Sequence, residues 1–194
     1  MRKLGLALIT AAMPLAAVPA MAQDVAQPFT GARVEGLVGW DRLQSDYDHK
    51  DGVTYGVAAG YDAAMGNGLI LGVEGELSDS TTKACGPDGV GDRYCFRTGR
   101  DLYVGGRIGT AITPQLLAYA KAGYTNARYK LTVDDAVTGD RTHLGGHNYD
   151  GYRLGAGLEY AITPQSYVKA EYRYSNWEGG LDKNQVLAGF GFRF

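Results

Sequence analysis

The chain ends in "VLAGFGFRF", which sets Val186, Ala188, Phe190, Phe192 and Phe194 at alternate positions, separated by Leu187, Gly189, Gly191 and Arg193. Successive side chains leave a strand on opposite faces, so a period of two predicts a strand with one wholly apolar side. That side must be covered by something other than water. The covering is either a protein core or lipid.

The alternation recurs in eight segments. Seven precede the terminal one: "GARVEGLVGWD", "VTYGVAAGYD", "LILGVEGEL", residues 101–112, "LLAYAKAGYTNARY", residues 152–162 and "YVKAEYRYSNW". In each, one face carries Val, Leu, Ile, Ala, Tyr or Trp, and the other mixes glycine with charge. Connections alternate as well. Those after the second, fourth and sixth segments are tight ("AAMGNG" and two copies of "TPQ", at 113–115 and 163–165). The others are predicted as long polar loops at 44–52, 78–98, 131–149 and 176–183. Glycine and proline punctuate them as turn signals.

A soluble barrel with an apolar interior alternates too. Three features favour lipid. Aromatics (Trp40, Tyr55, Tyr61, Tyr152, Tyr160, Tyr172, Tyr174) sit near strand ends on the apolar face, as an interfacial girdle requires. The polar face combines small residues with long charged ones, as a narrow interior would. Short turns on one side and long loops on the other, with both ends on the short-turn side, match an outer-membrane barrel. The expected fold is all-β: an eight-stranded antiparallel up-and-down transmembrane β-barrel.

Residues 1–22 read as a cleaved signal peptide: Arg2 and Lys3, an apolar stretch, then "AMA" before Gln23. Residues 23–194 are then one barrel domain, exported to the outer membrane. The net charge of −2 gives no reason to expect a nucleic-acid partner.

The polar face carries the charges Arg33, Glu35, Asp62, Glu74, Glu76, Arg107, Lys121, Arg153, Glu159, Lys169, Glu171, Arg173 and Arg193. Seven cations against six anions can pair almost completely. Buried charges need such partners. Two readings follow: a salt-bridged plug that makes the barrel rigid, or a narrow ion path gated by exchange of partners.

Cys85 and Cys95, the only cysteines, share the longest predicted loop. Export to an oxidising compartment predicts a disulfide, worth on the order of 2–3 kcal/mol against the unfolded chain. His143 and His147 share a loop with Asp134, Asp135, Asp140 and Asp150, but their spacing matches no calcium loop, and no metal or cofactor is expected. His49 and Ser45, or the strand-rim Ser78 and Ser80, are conceivable catalytic partners. No motif supports them, and no enzyme is expected. Arg97, Arg100, Arg128 and Lys130 lie near the outer rim, either as solvated loop charges or as partners for lipopolysaccharide phosphates.

The signal "AMA", the strand "VEGLVGW", the run "ITPQSYVKAEYRY" and the ending "VLAGFGFRF" resemble the small eight-stranded outer-membrane barrels of Gram-negative bacteria. This is the opacity-protein and OmpA-transmembrane-like group, often labelled "porin family". The resemblance spans the whole chain after the signal. It implies that the terminal phenylalanine and the alternating residues before it address the chain to the outer-membrane assembly machinery. It also implies a surface antigen or adhesin, with an extracellular ligand for its loops as a candidate partner; the expected state is a monomer. A narrow ion or solute porin is the first alternative, and a lipid A-modifying enzyme the second.

Overall fold

The computed structural model describes residues 29–45, 48–65, 68–87, 93–134, 141–178 and 180–194. The predicted signal at 1–22 lies outside them. Nine strands are present: β1 (Gly31–Ser45), β2 (Asp48–Ala64), β3 (Leu69–Ser80), β4 (Lys83–Pro87), β5 (Arg93–Thr113), β6 (Leu116–Asp134), β7 (Arg141–Ala161), β8 (Ser166–Trp177) and β9 (Leu181–Arg193). Their order is β3-β2-β1-β9-β8-β7-β6-β5-β4, and β3 also pairs with β5. That last pairing closes the ring. Because β3 and β4 lie end to end along β5, the ring is an eight-stranded antiparallel barrel with one strand broken at Thr81 and Thr82. Closure matters in lipid, where an open sheet edge would leave backbone groups without hydrogen-bond partners.

The two "TPQ" turns are built alike. Thr113 Oγ1 accepts from the Gln115 and Leu116 amides at 3.2 and 3.0 Å, and Thr163 Oγ1 from Gln165 and Ser166 at 3.2 and 2.9 Å. A threonine hydroxyl that satisfies two turn amides, followed by proline, makes a compact hairpin end. This explains why the same string is used twice.

Register sorts the side chains. Val38 opposes Tyr55 and Ala188; Phe190 opposes Gly36 and Val168. These residues face outward, with Val38, Tyr55 and Phe190 about half exposed. Outward aromatics form two levels, with Trp40, Tyr55, Tyr124, Tyr152 and Tyr172 toward the outer end. Tyr61, Tyr160, Phe192 and Phe194 mark the turn end. Between them lies a band of Val, Leu, Ile, Ala and Gly, the surface lipid covers.

The predicted outer loops are shorter than expected. Strands run into all four ranges: β1 and β2 continue to Ser45 and from Asp48, β4 and β5 occupy most of 78–98, and β7 begins at Arg141. His49, His143 and His147 therefore stand in strand spans and not in loops. The polar composition that marks a loop in a soluble protein equally suits a hairpin standing in water above a membrane.

Candidate functional site: the charged lumen and the outer rim

The inward faces converge on the barrel axis. All thirteen charges named from the sequence are at most 5 % exposed. Three more accompany them: Asp41, Asp101 and Lys183. Among the described residues the buried set is then eight cations and eight anions, a balanced interior. Alternation already put Asp41 and Asp101 on the polar face. Lys183 lies at the end of the range 176–183 predicted as a loop, and only continuing the period of two from Gln185 back to Lys183 reveals it.

The pairs form four groups along the axis. Nearest the turn end, Asp62 lies 3.1 Å from Arg33 Nε, 2.9 Å from Arg107 Nε and 2.9 Å from Arg193 Nη1. Glu159 meets Arg107 at 3.1 Å and also Arg193. In the middle, Lys121 Nζ sits 2.7 Å from Glu74 and 2.8 Å from Glu171, and Lys169 Nζ 2.5 Å from Glu35 and 3.2 Å from Glu171. Farther out, Glu76 pairs with Arg173 at 2.6 Å and with Arg153 at 3.5 Å, while Arg153 also meets Asp101. At the outer end Asp41 accepts from Ser80 Oγ at 2.8 Å and Thr82 Oγ1 at 3.0 Å and pairs with Lys183 at 2.9 Å.

Tyrosines knit the groups together. Tyr119 donates to Glu171 at 2.7 Å and Tyr167 to Glu35 at 2.8 Å. Their rings lie under Arg107 and Arg193, 4.7 and 5.0 Å from the guanidinium carbons. Such cation–π contacts stabilise a desolvated cation. Inward glycines make room for the rings: a Cβ at Gly157 would stand 2.7 Å from Tyr119 Oη.

Apolar groups close the network at both ends. Trp177 and Ala127, with Leu43, Tyr149 and Leu181 packed on them, fill the outer end. Phe29, Ile70, Leu117 and Ala161 fill the turn end. Ile70 stands on the inward face that it shares with Glu74 and Glu76, and Phe29 lies outside every alternating segment.

The outer wall above the aromatic level carries its own polar features. Arg42 pairs with Asp51 at 2.7 Å, but both are more than half exposed, so the pair adds little stability. Asp150 accepts from Tyr124 Oη and, at 2.6 Å, from Asn126 Nδ2; these hydrogen bonds hold its carboxyl below the usual carboxylate range. Arg100 and Arg128 are exposed neighbours where the β5–β6 register shifts between Thr98 and Asp101. Neither has an ionic partner among the described residues, whereas Arg33, Arg42, Arg107, Arg153, Arg173 and Arg193 are all paired.

Cys85 and Cys95 stand directly opposite one another in the β4–β5 register. No group of three or more His, Cys, Asp or Glu side chains suited to a metal occurs among the described residues.

Comparison with known proteins agrees with this architecture. A family model described as the outer membrane protein beta-barrel domain matches residues 8–194. A 22 kDa outer membrane protein of Rhizobium leguminosarum bv. viciae is 31 % identical over 157 residues, covering 73 % of this chain and 68 % of that protein. A 31 kDa outer-membrane immunogenic protein of Brucella melitensis biotype 1 is 30 % identical over 135 residues, 64 % of this chain and 54 % of its own. The chain thus spans about half the length of the Brucella relative. Among solved structures, Ail, the attachment invasion locus protein of Yersinia pestis, in complex with a heparin analogue, superposes with a TM-score of 0.56. Its identity is 17 %, with 84 % of this chain and 99 % of Ail covered, which is a likeness of fold. With its closed ring, lipid-type outer wall and polar lumen, this chain belongs to the outer membrane protein beta-barrel domain family and resides in the outer membrane.

Proposed function

We propose that the protein is a surface-exposed structural barrel whose interior is a closed salt-bridged strut and whose outer hairpins carry adhesion or recognition. The matched set of eight buried cations and eight buried anions carries this reading. An eight-stranded interior is just wide enough for side chains to fill, and breaking one desolvated pair to pass an ion strands the other charge. The apolar groups around Trp177 and Phe29 add a dry barrier at either end. These features favour the strut over the narrow porin. The reading assigns no catalytic role to the chain. Single-channel recording of the refolded, signal-free protein tests it: a silent bilayer is expected, with insertion checked by heat-modifiable gel mobility. Discrete ion-selective steps would make it a pore.

At the rim, the neighbours Arg100 and Arg128, without an ionic partner among the described residues, support binding of lipopolysaccharide phosphates, since guanidinium groups grip such oxygens in pairs. R100Q/R128Q is expected to abolish the rise in melting temperature that lipopolysaccharide produces, and an unchanged rise would sink the assignment. The sulfated sugar analogue in the Ail structure is a ligand of Ail. It makes polyanionic glycans sensible first probes for the hairpins here.

Val186, Ala188, Phe190, Phe192 and the 81 % exposed Phe194 are proposed to address the chain to the assembly machinery. Removing Phe194 should slow assisted insertion and leave unassisted refolding in detergent unchanged. Cleavage after Ala22 and a monomeric state complete the reading.

A further inference from the structure

Phe29 stands two residues before Gly31, where β1 begins, yet it is fully buried. Its cluster holds Ile70 of β3, Leu117 of β6 and Ala161 of β7, with Ala111 of β5 packed against it. Around the ring β6 lies four strands from β1 in either direction, which is the opposite wall. A side chain tethered to one wall and packed among residues of the others has to lie across the mouth. The tether bends at Gly31, whose φ of +107° suits glycine, and where a Cβ would run into the Phe194 carbonyl oxygen.

Two further observations bear on what this residue does. The β1 ladder begins at Gly31, so Phe29 belongs to no strand pair and can leave without breaking one. The nearest lumen charges above it are Asp62, Arg107, Glu159 and Arg193. Glu159 lies two residues from Ala161 on the same face of β7.

We propose that Phe29 is a removable stopper of the turn-side mouth. Seated, it keeps water from the Asp62–Arg107–Glu159–Arg193 group. Unseated by movement about Gly31, it opens that group to the compartment on the turn side while the Trp177 group still seals the other end. The stopper is thus separate from the strut reading. A barrel with Phe29 removed stays electrically silent but becomes wet from one side.

Thiol labelling tests this. In the full barrel folded in nanodiscs, A161C places a small thiol in the cluster. Its modification by a charged methanethiosulfonate is followed by the mass of the peptide carrying residue 161. With Phe29 in place the reaction is slow. F29S and G31A are each expected to speed it at least tenfold, and F29L to restore protection, in variants that keep heat-modifiable mobility. Should G31A fail to fold, F29S against F29L decides. Equal rates with and without Phe29, whether both fast or both slow, would overturn the proposal.

Discussion

Arg173 of β8 spans the lumen to Glu76 of β3, with Nη1 2.7 Å from Oε1 and 2.6 Å from Oε2. The two strands stand on opposite walls of the ring, so the pair is a cross-strut. Its ends are held from behind. Arg173 Nε donates to Gln185 at 2.7 Å, and Gln185 donates to Thr54 at 2.8 Å.

Cutting the strut at one end leaves a desolvated charge. R173M is expected to destabilise the barrel by about 3–5 kcal/mol, the usual cost of orphaning a buried partner. Replacing both, R173M with E76L, should recover much of that loss. Urea unfolding followed by heat-modifiable mobility reads the three proteins together. A double variant no better than R173M alone would show that Arg153 or Gln185 carries the load instead.

The outward register makes a second test. Val104 is 61 % exposed at mid-height of β5 and faces lipid. V104R is expected to cost about 2–4 kcal/mol in lipid vesicles. The same change at an outer-wall position above the girdle, Asn148, should cost far less. Equal effects at the two positions would contradict the placement of the hydrocarbon band.

Gly157 marks where an aromatic ring needs the space of a missing side chain. G157A puts a Cβ 2.7 Å from Tyr119 Oη and into contact with the Ala170 carbonyl. Overpacking of this kind costs about 1–3 kcal/mol. Tyr119 Cζ would lie almost as close, at 2.8 Å, so the second variant must remove the ring: Y119L should partly relieve the strain. No relief would place the strain on the backbone of β8.

The Cys85–Cys95 register predicts a local bond with little reach into the membrane. Non-reducing peptide mapping is expected to find the two linked. Reduction should raise hydrogen exchange along β4 and the outer end of β5 and leave the interior of β8 and β9 protected. Loss of protection throughout would mean that the outer hairpin supports the whole barrel.

Much of this molecule was legible in its period-two pattern. A strand buried against lipid on one face cannot slip by a residue without sending Lys169, Glu171 and Arg173 into hydrocarbon. Composition along each segment was therefore enough to determine the number of barrel strands, their faces and thirteen of the sixteen inward charges found among the described residues. Pattern could not say which charge meets which. Arg173 and Glu76 are separated by 97 positions and come together only because ring closure sets β8 against β3. Nor could it reveal Phe29, a lone aromatic outside any alternating run, whose burial depends on the mouth assembled from β3, β6 and β7. Alternation is a property of one strand and is written locally. Pairing across a lumen, and the stoppers at its ends, exist only once the sheet has closed.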